Sequence, residues 1–207
     1  MKPRLLGLAL AGIMLVSAPA SAMVLSLTAG GVADTVPGNF NPGGFPGGVS
    51  VGDPITVFDS GSPGGLSLSG PATLRFEFFG SEASEDDTFS FSGINFNNAT
   101  PVGTQGTAAF AGGVIPFLFT TTNGGGLNAT NGGPFDSGLS IAFANLGANS
   151  FLAMFNDGSG IDSDRDDMVV KVSVSQVPLP AAVWLLLSAV LGLVSFARVR
   201  RNGPQTT

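Results

Sequence analysis

The chain has 207 residues, of which 31 are glycine and 14 are proline, a composition that favours turns and loops over long helices. Cysteine, histidine and tyrosine are absent, which excludes disulfide frameworks, Cys or His nucleophiles, and zinc or haem sites built on those residues. The formal net charge of −6 argues against a nucleic-acid partner, because binding to phosphates needs a basic surface.

The N-terminal segment, residues 1–22, is predicted to be a secretory signal peptide. Basic residues precede the apolar run 5–16, and Ala20 and Ala22 form the small-x-small pattern that a signal peptidase requires. We therefore expect the protein to be exported and its mature form to begin at Met23. The alternative is an uncleaved membrane anchor.

The central segment, residues 23–176, is predicted to be one all-β ectodomain with a β-sandwich or jelly-roll-like fold. Short apolar or alternating runs are separated by Gly, Pro, Asn and Asp, and no amphipathic helical pattern is present. The spacing predicts about eight or nine strands, with long loops over 29–54 and 122–134. In chain order the predicted strands are Val24–Thr28, Ile55–Phe58, Ala72–Phe79, Phe89–Phe96, Thr107–Phe110, Val114–Thr121, Leu139–Asn145, Ser150–Asn156 and Met168–Ser175.

Alternation within these strands predicts the core, and glycines predict the breaks between them. The residues expected to face inward include Leu74, Phe76, Phe78, Val170, Val172 and Val174. Gly93 is predicted to mark a bulge inside one strand. Gly112–Gly113 and Gly147 are each predicted to mark a hairpin.

The densest polar cluster lies in residues 156–167, immediately before the last predicted strand. Calcium takes about 6–8 oxygen ligands and tolerates irregular geometry, so an acidic loop with Gly and Ser can wrap one ion. The candidate calcium ligands are Asp157, Asp162, Asp164, Asp166 and Asp167. Crowded carboxylates repel one another unless a cation or Arg165 intervenes. The alternative is a solvated acidic loop with Arg165 as its counter-charge.

A second acidic cluster, Glu82, Glu85, Asp86 and Asp87, follows the predicted strand Ala72–Phe79. We expect a solvated turn that keeps the domain soluble. A glycosidase with paired carboxylates is the alternative, but the aromatic sugar platforms of such enzymes are missing, because Tyr is absent and the single Trp lies in the C-terminal apolar segment. We assign no catalytic residue and expect no enzymatic activity.

The C-terminal region contains a predicted transmembrane helix, residues 181–197. This run carries no charge and would be about 25 Å long as a helix, at ~1.5 Å per residue. An arginine cluster follows it, consisting of Arg198, Arg200 and Arg201. By the positive-inside rule this cluster and the tail 202–207 are cytoplasmic, so the ectodomain faces outward. The alternative is a buried core helix.

Residues 177–201 as a whole resemble a PEP-CTERM sorting signal. The motif that matches its Val-Pro-Leu-Pro-Ala variant is Val177, Pro178, Leu179, Pro180 and Ala181. The apolar helix and the arginine cluster follow the motif in the order that is typical of this signal. Leu179 departs from the family name, which has Glu at that place.

The resemblance implies an exported protein of a Gram-negative bacterium, whose signal is read by an exosortase-type membrane transpeptidase. The chain would be anchored in the inner membrane by its helix and cut near residues 177–181. It would then reach the cell surface or the extracellular matrix. Such proteins often accompany extracellular polysaccharide and biofilm systems, so a polysaccharide partner is also implied. The alternative is a permanent anchor without sorting.

The acidic stretch extends the resemblance, since an Asp-rich stretch before a Met-Val-Val strand precedes the sorting signal in many such proteins. The matching residues are Phe155, Asp157, Asp164, Asp166, Asp167, Met168 and Val169. The resemblance implies a calcium-binding or turn-stabilising loop of a β-sandwich. We therefore expect a non-enzymatic structural or binding protein of the surface or matrix. The alternatives are a calcium-dependent glycan-binding module and a carboxylate glycosidase.

Overall fold

The computed structural model describes residues 23–43, 48–82, 85–122, 125–147, 149–158, 164–175 and 189–190. The predicted cleavage residues Ala20 and Ala22, the candidate ligand Asp162, the motif 177–181 and the arginine cluster lie outside these residues. Residues 189–190, within the predicted membrane segment, are helical. Among the described residues, no helix has the length and apolar character needed to cross a membrane.

The described part of the predicted ectodomain is all-β, as the sequence predicts, and its strands form three antiparallel sheets. The strands are β1 (Leu25–Leu27), β2 (Val32–Thr35), β3 (Pro54–Asp59), β4 (Leu66–Leu68), β5 (Ala72–Gly80), β6 (Thr88–Phe91), β7 (Ile94–Asn97), β8 (Gln105–Phe110), β9 (Gly113–Val114), β10 (Leu118–Thr121), β11 (Leu127–Thr130), β12 (Ser140–Gly147), β13 (Ser150–Asn156) and β14 (Met168–Ser175).

The largest sheet has seven strands in the order β2-β3-β12-β13-β14-β5-β8. β12 and β13 form the hairpin that Gly147 predicts, and this glycine has a φ of 75°, which favours a residue without a Cβ. β14, the last strand, lies between β13 and β5 and is therefore internal to the sheet. Each end of β14 therefore lies beside residues that are distant from it in the sequence.

The main core lies on one face of this sheet. The four-stranded sheet β11-β10-β6-β7 and the three-stranded sheet β1-β4-β9 contribute the opposing side chains. Phenylalanines dominate the contact, for example Phe119 stacked on Phe155 with ring centroids 4.9 Å apart. The alternation predicted for β5 is confirmed, since Leu74, Phe76 and Phe78 are buried there. Each buried side chain of this size stabilises the fold by ~1.5–3 kcal/mol.

The opposite face of the seven-stranded sheet is also covered near its centre. Val36 and Val49 from the β2–β3 connection pack with Leu152 and Met154 of β13 in a second apolar cluster. Every residue of β13 is therefore buried, because each of its faces meets a different cluster. The same connection, described over 36–43 and 48–53, leads on to the acidic residues discussed below.

The predicted strand Phe89–Phe96 is instead a hairpin. β6 and β7 pair with each other, with Phe89 opposite Phe96. Ser92 and Gly93 form the turn, with φ values of 46° and 84°. Two consecutive left-handed residues give the twist that a two-residue hairpin needs. Gly93 therefore marks a turn, and the prediction of a bulge is wrong.

The hairpin predicted at Gly112–Gly113 is wrong as well. β8 pairs with β5, whereas β9 pairs with β4, so these glycines carry the chain from one sheet to another. Gly112 has a φ of 104°, and a Cβ there would lie 2.8 Å from the Cα of Gly70. The glycine is needed because two backbones approach closely at this crossing.

Three short strands were not predicted from the sequence. β2 lies in the predicted loop 29–54 and β11 in the predicted loop 122–134, while β4 was not predicted at all. All four residues of β2 are exposed at the edge of the large sheet, so its sequence shows no apolar alternation. β11 pairs only with β10 in its sheet and is therefore an edge strand as well.

Candidate cation site

Two connections meet at one end of the seven-stranded sheet. β14 begins at Met168, directly after the segment 164–167. β5 ends at Gly80, shortly before Glu82. Because the two strands are antiparallel and pair Val169 with Gly80, the start of β14 lies beside the end of β5. This pairing brings Glu82 next to the acidic segment.

Three carboxylates converge at this place. One side-chain oxygen from each of Glu82, Asp164 and Asp166 lies within 4.8 Å of the other two. Asp166 is 0% exposed and Asp164 is 4% exposed, whereas Glu82 is exposed. The cluster therefore has two buried carboxylates and one at the rim. Hard divalent cations prefer such oxygen groups.

A third segment, from the β2–β3 connection, fixes the two buried carboxylates. The side-chain Nδ2 of Asn39 donates a hydrogen bond of 2.7 Å to Oδ2 of Asp164. The backbone N–H of Asn41 donates to Oδ2 of Asp166. The other oxygen of Asp166, Oδ1, is buried and accepts no hydrogen bond from the described residues. One carboxylate oxygen in the cluster is thus left without a protein donor.

The charge at this site is only partly compensated. Burial raises the pKa of Asp166 to about 8. A side-chain hydrogen bond with Asp164 and the charges of Asp164 and Glu82 raise it further, while the Asn41 N–H opposes the shift. Close carboxylates favour either a shared proton or a bound cation, because both reduce their repulsion.

Asp167 and Asp157, two other predicted ligands, interact with each other instead. The backbone N–H of Asp157 donates a hydrogen bond of 2.7 Å to Oδ2 of Asp167. Burial raises the pKa of Asp167 to about 7; the Asp157 N–H lowers it, and the charges of Asp157, Asp164 and Glu82 raise it. The predicted ligand set is therefore divided, with Asp164 and Asp166 in the three-carboxylate cluster and Asp167 bonded to Asp157.

Asp87, in the second acidic cluster, does not belong to a solvated turn as expected. It is 0% exposed, and its backbone N–H donates to Oδ1 of Asn98 at 3.1 Å. Burial raises the pKa of Asp87 to about 7, a hydrogen bond from Thr121 lowers it, and the nearby charges of Asp157 and Asp167 raise it. The two acidic clusters of the sequence therefore form one continuous acidic region in the fold.

Arg165 is not the counter-charge of its acidic neighbours. Its guanidinium contacts Asp34 of β2, with 3.0 Å between Nη2 and Oδ2. Its φ of 64° turns the chain between Asp164 and Asp166. The arginine thus ties the segment before β14 to the edge of the large sheet.

Sequence reasoning missed that Glu82 joins the carboxylate cluster and that Asn39 and Asn41 donate hydrogen bonds to it. Glu82 was assigned to a separate cluster, and its proximity follows from the pairing of β5 with β14, which spacing alone does not reveal. Asn39 and Asn41 lie in a Gly- and Pro-rich stretch without periodicity. The polar side chain of Asn39 was the only available signal, because Asn41 donates through its backbone.

Comparison of the chain with protein-family models, curated proteins and solved structures finds no match.

Proposed function

We propose that this chain is an exported protein of the cell surface or extracellular matrix, with a non-enzymatic structural or binding role. In this proposal the ectodomain is a β-sandwich, exported by the signal peptide 1–22 and held by the helix 181–197. An exosortase-type transpeptidase cuts near residues 177–181 and releases or transfers the domain.

The observation that carries the proposal is that the first and the last strands of the domain both form hydrogen bonds with Asn149. Its side chain binds the first described residues, with Nδ2 donating to the Met23 carbonyl at 2.8 Å and Oδ1 accepting from the Leu25 N–H at 3.3 Å. Its own carbonyl accepts a hydrogen bond of 3.1 Å from the N–H of Val174, near the end of β14. The segments that follow the signal peptide and precede the sorting motif therefore lie at the same end of the domain.

This arrangement suits a domain that is tethered and then processed at a membrane. A cut after Ala22 and another near residues 177–181 would leave β1 to β14 intact, since these strands run from Leu25 to Ser175. Because β14 is internal to the large sheet, its end is held in place while the chain beyond it is cut. The product would be a complete folded domain.

Mass spectrometry of the protein recovered from the producing bacterium tests this proposal. We expect a mature N-terminus at Met23 and a C-terminus within residues 177–181. Joint substitution Pro178→Ala and Pro180→Ala should leave the C-terminal helix attached. Pro204→Ala, in the tail, is the matched control and should be processed normally.

A wild-type C-terminus at Thr207 would overturn the sorting proposal. Hydrolysis of the producing bacterium's exopolysaccharide by the purified protein would overturn the non-enzymatic role.

A further inference from the structure

We propose that Glu82, Asp164 and Asp166 form a calcium site that joins three separate segments of the chain. The site differs from a linear acidic loop, because one ligand comes from the β5–β6 connection and two come from the segment before β14. The β2–β3 connection closes it from the third side through Asn39 and Asn41.

The unpartnered oxygen of Asp166 is the observation that points to a bound ion. A buried carboxylate oxygen without a donor destabilises a fold unless a proton or a cation compensates it. Here Oδ1 of Asp166 has no hydrogen-bond donor among the described residues. One carboxylate oxygen from each of Glu82, Asp164 and Asp166 lies within 4.8 Å of the other two, so a single ion can contact all three groups. A divalent cation would neutralise most of their combined charge.

The surrounding hydrogen bonds hold the ligands in place. Asn39 donates to Oδ2 of Asp164, and the Asn41 N–H donates to Oδ2 of Asp166. Each of these buried carboxylates is therefore held through one of its oxygens by a neutral donor. Hydrogen bonds of this kind fix the orientation of metal ligands and raise the affinity of a site.

The donor set favours calcium over other common cations. The chain contains no Cys or His, so a zinc site would lack the ligands that zinc prefers. Magnesium requires near-ideal octahedral geometry and loses its water reluctantly. Calcium accepts irregular sets of about 6–8 oxygens, and water can complete its coordination where the exposed Glu82 opens the cluster to solvent.

Calcium binding should stabilise the folded protein, because the ion links segments that separate on unfolding. We expect the Tm of the full chain in detergent micelles to rise by roughly 2–10 °C between excess chelator and about 5 mM calcium. Calorimetric titration should show calcium binding with a dissociation constant below about 1 mM, the range of extracellular calcium modules. Magnesium at the same concentration should shift the Tm far less.

Two variants locate the site. Glu82→Gln changes an exposed side chain and should reduce calcium affinity at least about tenfold without unfolding the protein. Asp166→Asn should abolish the calcium-induced Tm shift, while its Tm in chelator stays at or above that of the wild type, because asparagine keeps the size of the side chain and places no charge among the crowded carboxylates. Asp86→Asn changes an exposed carboxylate in the same connection as Glu82 and should leave calcium binding unchanged.

The proposal is overturned if about 5 mM calcium moves neither the Tm nor the calorimetric signal of the wild type. It is also overturned if Glu82→Gln and Asp166→Asn bind calcium as the wild type does, since the ion would then lie elsewhere. An equal response to magnesium would refute the assignment of calcium. None of these results depends on whether the C-terminus is processed.

Discussion

The two ends of β14 hold distant segments together by different chemistry. At its C-terminal end, Asn149 connects Val174 to Met23 and Leu25 through neutral amide hydrogen bonds. At its N-terminal end, carboxylates from separate segments converge. The two ends are about 23 Å apart, at ~3.3 Å per residue. The amide end should be insensitive to pH and ions, whereas the acidic end should depend on both.

Residues 177–181 follow one end of β14 in the chain, and the candidate cation site lies at the other end. The amide end includes Val174, which shortly precedes residues 177–181 in the chain, and under the sorting proposal this end would face the membrane before processing. The acidic end would then point away from the membrane, where an extracellular cation has access. Experiments that alter one end should therefore leave the behaviour of the other unchanged.

Breaking the amide end should have the largest effect. Asn149→Ala removes two side-chain hydrogen bonds and places alanine at a φ of 58°, so we expect a loss of ~2–3 kcal/mol in unfolding free energy. The loss, measured by chemical denaturation, should be the same with and without calcium. Asn145→Ala in the same hairpin removes one local hydrogen bond and should be milder. A loss at Asn149 that disappears in calcium would contradict the separation of the two ends.

Replacing a buried carboxylate of the acidic region should stabilise the protein in a pH-dependent way. The folded pKa of Asp87 is raised from 3.8 to about 7, so the wild type loses stability as pH rises through this window and stays destabilised above it. Asp87→Asn should therefore gain stability at pH 8 and be nearly neutral at pH 4. The raised pKa sets an upper limit of ~4 kcal/mol on this gain.

The measurement is a set of unfolding curves for Asp87→Asn and the wild type in chelator across this pH range. Glu85, Asp157 and Asp167 also face Asp87 and are present in both proteins, so the difference between the curves reports on Asp87. A difference that is independent of pH would show that Asp87 is already ionised in the fold.

Removing a ligand-positioning residue should weaken the calcium response without abolishing it. Asn39→Ala deletes the hydrogen bond to Asp164, and we expect a loss of about tenfold in calcium affinity, equivalent to ~1.4 kcal/mol. Calorimetric titration provides the measurement. Asn95→Ala, which removes an exposed hydrogen bond in the β6–β7 hairpin, should bind calcium normally. Unchanged affinity in Asn39→Ala would exclude a positioning role for Asn39.

The smallest effect is expected at the ion pair between Arg165 and Asp34. Arg165→Gln removes this contact, but Asp34 is largely solvated, so the unfolding free energy should fall by only ~0.5 kcal/mol. Adding salt should reduce the difference from the wild type further. A loss as large as that of Asn149→Ala would mean that Arg165 also compensates the neighbouring carboxylates.

Sequence patterns predict the parts of the fold in which burial alternates or glycine shapes a turn. The alternating Phe residues predict β5, and Gly147 predicts the β12–β13 hairpin. Edge strands such as β2 have no buried face and leave no such pattern. Gly112 and Gly93 look alike in the sequence, but only tertiary pairing determines that one crosses between sheets and the other closes a hairpin.

The candidate site shows the same division. The acidic run of the sequence predicts Asp164 and Asp166, because crowded carboxylates require compensation. It also predicts Asp157 and Asp167 as ligands, whereas the fold joins these two by a hydrogen bond. Glu82 reaches the cluster through antiparallel strand pairing, and this long-range register cannot be obtained from local spacing.

Hydrogen exchange with and without calcium tests the difference between the two ends of β14 most directly. The amide of Asn41 donates to Asp166, and the amide of Val174 donates to Asn149, so one measurement reports on both ends. We predict that calcium slows exchange in the peptide containing Asn41 and leaves the peptide containing Val174 unchanged. No change at Asn41, or an equal change at both amides, would contradict a calcium site at the acidic end.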